Sequence, residues 1–438
     1  MSDLDQRTKA GTQRHGGTAR INEQGIAVAG LVGFGFAWWC APIWKHQIVG
    51  MQLLVVAVST ILPMILWSVF RARTYLNESS GLSPFARSPD YRRVGTKYIG
   101  LLLTLSILGA AYWVFPEYSR PRYQPVWDLV ALAGVPTLLA AWFYMLWVDE
   151  RMLDPCDGYW HTGRLVLGKW QLVDWVCLRE HALGWLIKGF FFPFMFSALA
   201  GHLGSVSENG WNPARFDQLY LSTLALIYCV DTLYGAVGYL LTLRILDSQI
   251  RSVQPHFFGW AVALICYAPF SAALSSFQSS RSDQDWSTVF SGQPILYITW
   301  GFVILLLLTV YVWSTVSFGC RFSNLTNRGI ITTGPYRWMK HPAYLSKNIA
   351  WWLIAIPFCA SPHWQDNLRA CVMLSSVNLI YFFRAKTEET HLMADRDYRI
   401  YARWVDQFGL CASIRKCFRL LSRRGACHPL PSLTRRGQ

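Results

Sequence analysis

Long apolar stretches separated by short polar connections run through most of the chain. Stretches of roughly 17–25 predominantly apolar residues can cross the ~30 Å hydrocarbon core of a bilayer as helices. They recur at residues 25–44, 48–70, 98–115, 127–148, 182–202, 216–243, 257–274, 295–319, 345–360 and 369–383. Helices are the expected spanning form because they satisfy their own backbone polar groups inside lipid. The pattern therefore predicts an all-α, polytopic transmembrane helical bundle of about ten spans.

The composition supports a membrane protein, and the charge distribution indicates its orientation. Hydrophobic residues make up 53% of the 438 residues and charged residues only 15%. Basic residues are concentrated at 71–97 and sparse in the neighbouring connections, as the positive-inside rule requires. We therefore predict that both termini and the loops at 149–181 and 320–344 are cytoplasmic, in a bacterial inner membrane or an intracellular membrane. The net charge of +15 then reflects topology and contact with anionic membrane lipids, and nucleic-acid binding is the weaker interpretation.

Four regions follow from this pattern. Residues 1–24 form a polar cytoplasmic tail without the apolar centre of a signal peptide. Residues 25–319 form a multi-span membrane region, and most of the distinctive polar chemistry comes after it. That chemistry lies in a module at 320–410, which we predict to be a loop, a helical hairpin and an amphipathic helix. Residues 411–438 form a basic tail.

The sequence indicates neither a metal site nor a disulfide framework. The 11 cysteines are scattered without a Cys-x-x-Cys pair, so we expect reduced, packed thiols. No His-Glu-x-x-His pattern and no carboxylate cluster with metal-ligand spacing occurs. No Gly-x-Gly-x-x-Gly segment follows a strand, which argues against a Rossmann-type cofactor domain.

A basic, proline-broken insert at 334–345 lies between two apolar helices, where a membrane anchor needs only a short connection. Pro342 biases His341 toward an extended backbone, so we expect a compact loop. The loop offers cations to a carboxylate or phosphate at Arg337, Lys340 and His341. It offers flat rings for stacking at Tyr336, Trp338 and Tyr344. An ordinary interfacial loop, where cations and aromatic residues also gather, is the alternative.

A second polar run follows the apolar helix predicted at 369–383. It includes Arg384, Glu388 and Glu389, and its simplest interpretation is a solvated Arg384–Glu388 salt bridge one helical turn apart. The functional interpretation is that a carboxylate binds a nucleoside cofactor while Arg384 holds a substrate carboxylate. Tyr398 and Tyr401 follow on one helical face, either as a lid over the loop or as part of a surface helix.

Together these runs resemble a known family. The motifs are Gly334-Pro335-Tyr336-Arg337, Lys340-His341-Pro342-x-Tyr344, Arg384-x-Lys386-Thr387-Glu388-Glu389-x-x-Leu392 and Tyr398-x-x-Tyr401. They are similar to those of the isoprenylcysteine carboxyl methyltransferases and the related membrane phospholipid methyltransferases. The resemblance covers about 321–405. The sequence departs from the family pattern at two places. Lys340 replaces the usual arginine, and Ser346-Lys347 occupies positions where glycine is common.

The resemblance implies an integral membrane enzyme that uses S-adenosylmethionine to methylate a lipid-soluble or prenylated substrate. Carboxylate O-methylation is the favoured reaction, and amine methylation is the other. It implies catalytic roles for Arg384 and Glu388. The implied cofactor-binding residues are Tyr336, His341, Pro342, Tyr344, Leu345, Glu388 and Glu389. The implied substrate-binding residues are Arg337, Lys340, Tyr398 and Tyr401.

Two other functions remain open from the sequence. Membrane sterol reductases look similar in span number and in a C-terminal Arg-His-Pro-x-Tyr loop, and they bind NADPH. A non-catalytic lipid receptor or transporter is the second alternative, since Lys188 and Asp231 lie inside predicted spans and intramembrane charges are usually functional. These two residues could pair or line a substrate channel, Lys188 could extend toward the interface, and Asp231 could be a hydrogen-bonded structural residue.

Overall fold

The computed structural model describes residues 24–209, 211–212, 214–271, 285–359, 361–410 and 412–413. The predicted N-terminal tail before Gln24 and nearly all of the predicted basic tail lie outside these residues. The helices are α1 (Gln24–Trp39), α2 (Ala41–Trp44), α3 (Val49–Leu66), α4 (Tyr91–Val114), α5 (Gln124–Asp149), α6 (Gly158–Val166), α7 (Trp175–Asn209), α8 (Phe216–Leu240), α9 (Phe257–Leu264), α10 (Trp286–Val289), α11 (Pro294–Ser317), α12 (Pro342–Ala355), α13 (Trp364–Leu392) and α14 (Arg396–Phe408).

Seven of the described helices are long and apolar enough to cross a membrane, which confirms the predicted all-α, multi-pass class. They are α3 with the π-helical turn after it, α4, α5, α7, α8, α11 and α13. The sequence predicted about ten spans, and the other three correspond to shorter helices. They are the apolar α1, the 8-residue α9 and the 14-residue α12. Helix α12 ends early because Ile356 adopts a left-handed backbone conformation with φ 33°.

The core of the bundle lies where α7, α8 and α11 pack against one another. Helix α8 is the most enclosed of the spans. The ring of Phe191 on α7 stacks on Tyr239 of α8, with centroids 5.7 Å apart. Lipid is as apolar as these side chains, so close packing and interhelical hydrogen bonds hold such a core together. A charged residue on α8, such as Asp231, therefore needs partners within the protein.

The segment that follows α11 is attached to the end of α8 by one buried arginine. Arg328 is only 2% exposed. Its guanidinium donates hydrogen bonds of 2.6–3.2 Å to the carbonyl oxygens of Gly238, Leu241, Ser248, Cys320 and Phe322. Beside it, the two-residue strands β1 (Ser252–Val253) and β2 (Thr326–Asn327) pair antiparallel, with Ser252 opposite Asn327. The loop that leads to the candidate site is thereby held against the membrane core.

Helix α14 packs on the loop between α11 and α12. Its buried face consists of Tyr398, Tyr401, Ala402 and Val405, and it contacts Ile330, Tyr336 and Leu392. The loop itself turns at Gly334, where φ is 58° and an added Cβ would lie 2.2 Å from Ser317 Oγ. Only glycine fits this turn without strain. The loop is therefore fixed between the end of α11 and the buried face of α14.

Candidate active site

The structure brings the two polar motifs to opposite sides of one cavity between α8, α11, α12 and α13. Six residues predicted for the site line this cavity: Tyr336, Lys340, His341, Tyr344, Arg384 and Glu388. Met195, Phe318 and Phe322 add apolar wall. A concave, largely apolar cavity with a few convergent charged groups is the usual form of a small-molecule site.

Each carboxylate of the second motif is held by an aromatic residue of the first. The Tyr344 hydroxyl donates to Glu388 Oε2 at 2.9 Å, and His341 Nε2 lies 3.0 Å from Glu389 Oε1. Lys386 Nζ also donates to Glu389, at 3.1 Å. The rings of His341 and Tyr344 are stacked, with centroids 5.4 Å apart. The sequence placed Glu388 and Glu389 just past a helix, and this was wrong: α13 continues to Leu392, so both project from its last turns.

Arg384 is the cation at the centre of this arrangement. Arg384 is 8% exposed, and its guanidinium donates a hydrogen bond to Asn324 Oδ1 at 2.5 Å. The guanidinium carbon lies 5.3–5.8 Å from the ring centroids of Tyr267, Tyr344 and Tyr381. The simple Arg384–Glu388 salt bridge does not form. Within the described residues no carboxylate forms an ion pair with Arg384, so a buried positive charge faces the cavity without an anion.

Asp231 lies in the wall of the same cavity, and its carboxylate is held by hydroxyl groups. Its carboxylate accepts hydrogen bonds from Tyr311 at 2.5 Å and from Thr315 at 2.6 Å. Lys188 does not pair with it, because the Lys188 ammonium lies 3.4 Å from the ring centroid of Trp185. Asp231 is thus both hydrogen-bonded and cavity-lining, whereas Lys188 is a separate cation–π contact.

Several predicted site residues lie outside the cavity wall. Arg337 and Leu345 are exposed, and Pro342 is the buried first residue of α12. The predicted substrate-binding residues Tyr398 and Tyr401 are buried behind the loop, where Tyr401 donates to the Tyr336 carbonyl at 2.8 Å. Burial raises the pKa of both phenols above the ordinary value, so they remain neutral. The two tyrosines support the loop from behind and do not face the cavity.

Sequence reasoning missed Asn324, Tyr267 and Tyr311 as parts of this site. Asn324 and Tyr267 are 60 and 117 positions from Arg384 along the chain. Tyr311 lies within an apolar span, where a tyrosine attracts no notice. Lys347 also lines the cavity. It did carry a signal, since a lysine stands where the resembling family commonly has glycine.

Residues 297–394 match the model of the Isoprenylcysteine carboxyl methyltransferase (ICMT) family. The resemblance predicted from the motifs is confirmed over this segment. The ICMT-family segment begins in α11 and ends just after α13, so it contains the cavity walls formed by α12 and α13. It covers under a quarter of the chain, and no curated protein and no solved structure matches.

The two tyrosines of α14 give a matched pair of variants for testing how the loop is held. Tyr401→Phe removes the hydrogen bonds to the carbonyls of Tyr336 and Met339, so we expect a loss of about 1–2 kcal/mol in stability. Tyr398→Phe removes a buried hydroxyl that has no partner among the described residues, so stability is expected to hold or rise slightly. Thermal unfolding in one detergent compares them. Equal destabilisation by both variants would contradict this account of the loop.

Proposed function

We propose that this protein is an integral membrane methyltransferase that uses S-adenosylmethionine to methylate the carboxylate of a lipid-soluble or prenylated substrate. The ICMT-family match supports methyl transfer, and the candidate spans support a membrane enzyme. The observation that carries the choice of a carboxylate is Arg384. A buried guanidinium without an anion costs free energy, and a substrate carboxylate in the cavity offsets that cost.

The residues present fit the proposed cofactor. Glu388 in the cavity wall, and Glu389 held beside it by His341 and Lys386, offer acceptor oxygens for an amine or for ribose hydroxyls. Tyr336 and Tyr344 offer rings for stacking. When bound, S-adenosylmethionine would supply an electrophilic methyl group.

The residues of the chain need to do little more than position the acceptor. Arg384, fixed by Asn324 and three tyrosine rings, would orient an acceptor carboxylate that is already ionised. Such a nucleophile needs no general base, so alignment and exclusion of water are the main contributions. An amine acceptor would need a proton acceptor as well, and for this reason the carboxylate is preferred.

The surroundings of the cavity favour an acceptor that arrives through the bilayer. Leu345 and Ile349 on α12 are exposed apolar residues of a membrane-spanning protein, so this side of the module faces lipid. The apolar wall of Met195, Phe318 and Phe322 suits a hydrocarbon tail. From the positive-inside distribution we infer that the site opens on the cytoplasmic side.

Calorimetric binding of S-adenosylhomocysteine and of NADPH to detergent-purified protein tests this proposal. Saturable binding of S-adenosylhomocysteine alone is the expected result. Binding of NADPH alone would move the protein to the sterol-type reductases, and binding of neither would favour a receptor or transporter.

The same measurement tests the two glutamates. We expect Glu388→Gln and Glu389→Gln each to weaken S-adenosylhomocysteine binding by roughly tenfold, because each loses a charge-assisted acceptor. Glu78→Gln is the control, since Glu78 is an exposed carboxylate on a short 3₁₀ helix outside the cavity. Parent-like affinity in both site variants would show that the glutamates do not hold the cofactor.

A further inference from the structure

A second cation, the half-buried Lys347, lines the same cavity from α12. Its ammonium lies 4.8 Å from the ring centroid of Tyr311 and 5.1 Å from that of Trp351. Among the residues that the structure describes, it forms no ion pair and no hydrogen bond to an oxygen. Aromatic faces attract a cation but accept none of its three N–H groups in the way that an anion does. Lys347 is therefore held in place with its hydrogen-bonding capacity unused.

The carboxylates near Lys347 are hydrogen-bonded to hydroxyl groups, and among the described residues none forms an ion pair with it. Asp231 accepts from the Tyr311 and Thr315 hydroxyls, and Glu388 accepts from Tyr344. The other basic residues near the cavity have carboxylate partners: Lys340 contacts Asp406 at 2.8 Å, and His341 contacts Glu389. Lys347 and Arg384 are the two cations in the cavity wall that lack a carboxylate partner in the described part of the chain.

These two cations belong to one continuous surface. The ring of Tyr381 contacts Trp351, which lies under Lys347, at a centroid distance of 5.3 Å. The same ring lies 5.8 Å from the Arg384 guanidinium. An acceptor with a single carboxylate can pair with only one of these two cations, and the N–H groups of the other are left without an anionic acceptor.

We propose that Lys347 is a second anion-binding position, and that the methyl acceptor is a lipid carrying two anionic groups at its polar end. One group binds Arg384 and is the carboxylate that receives the methyl group, and the other binds Lys347. This inference rests on the proposed function and narrows its substrate class. Asp231 acts indirectly by fixing the Tyr311 ring against which Lys347 packs.

Two alkyl probes with tails of nearly equal length separate one anionic group from two. Decanoate carries one carboxylate and decylsuccinate carries two at the same end. Calorimetry in one detergent, with S-adenosylhomocysteine saturating, is expected to show decylsuccinate binding about tenfold more tightly than decanoate to the parent protein. Equal affinity for the two probes would overturn the proposal.

Lys347→Met is the decisive variant, because it keeps an unbranched side chain and removes the charge. We expect it to abolish the preference for decylsuccinate while decanoate and S-adenosylhomocysteine bind as in the parent. Lys188→Met is the matched control: it also removes a lysine stacked on a tryptophan, outside the cavity wall, and should keep the preference. Lys347→Arg should also keep the preference for decylsuccinate. If Lys347→Met does not fold, Lys347→Gln is measured in its place.

The outcomes distinguish this inference from the proposed function. A decylsuccinate preference that survives in Lys347→Met or Lys347→Gln would show that the second anion binds elsewhere, and would overturn the role of Lys347. Failure of the parent to bind S-adenosylhomocysteine would instead overturn the methyltransferase proposal, whichever alkyl probe binds.

Discussion

Arg384→Gln is expected to reduce the kcat/KM of methyl transfer by roughly 30- to 3,000-fold, because the substrate carboxylate loses its only cation at the reacting end. The ligand-free protein should behave differently. Since Arg384 is buried without an anion, its removal is expected to leave thermal stability unchanged or to raise it slightly. A loss of turnover without a loss of stability would identify Arg384 as a substrate-binding group.

The control for this variant is Arg403→Gln, which removes one positive charge from the exposed side of α14. Its turnover and stability should match those of the parent. If Arg384→Gln lowered stability and turnover in parallel, Arg384 would be a structural residue and the assignment of the carboxylate site would fail. Arg384→Lys should recover only part of the activity, because an ammonium cannot form the planar two-point contact of a guanidinium.

Arg328→Met is expected to lower the free energy of unfolding by about 3–5 kcal/mol, the cost of leaving several buried carbonyls without donors. Five carbonyl oxygens depend on this one side chain. Arg328→Lys should not restore stability, since three donors on one nitrogen cannot reach five acceptors spread around a planar fork. Thermal unfolding in detergent measures both variants.

Arg399→Met is the matched control for Arg328→Met. Arg399 also donates to two backbone carbonyls, those of Met393 and Ala394, but it is exposed and water can replace it. We expect its cost to stay within about 0.5 kcal/mol. A similarly small effect of Arg328→Met would show that the loop after α11 is held by other contacts.

Much of the architecture could be predicted from the sequence because a lipid environment allows few backbone conformations. Apolar runs of spanning length can form only helices in lipid, so the class followed directly from the pattern. The boundaries were less predictable. The run at 345–360 is apolar, yet α12 ends where Ile356 takes a left-handed conformation. The apolar run before Arg384 did not reveal that α13 continues through the motif to Leu392.

The candidate site was only partly predictable. The motifs around His341 and Glu388 stood out because charged residues are costly beside lipid and their spacing resembles a known family. Their pairing as Tyr344–Glu388 and His341–Glu389 required the hairpin to fold. Arg337 looked as suitable as Lys340 in the sequence, but the turn at Gly334 leaves Arg337 exposed and directs Lys340 to the cavity.

By itself, the sequence determined the multi-pass helical class, the family resemblance of the C-terminal segment and the two motifs that carry charge, because these depend on local composition and spacing. Only the tertiary structure decided which charges are paired and which are not. Asn324, Tyr267 and Asp231 reach the cavity from distant parts of the chain. Among the described residues, neither Arg384 nor Lys347 forms an ion pair with a carboxylate. Whether a buried charge has an anion within reach depends on how the helices pack, and no local pattern records it.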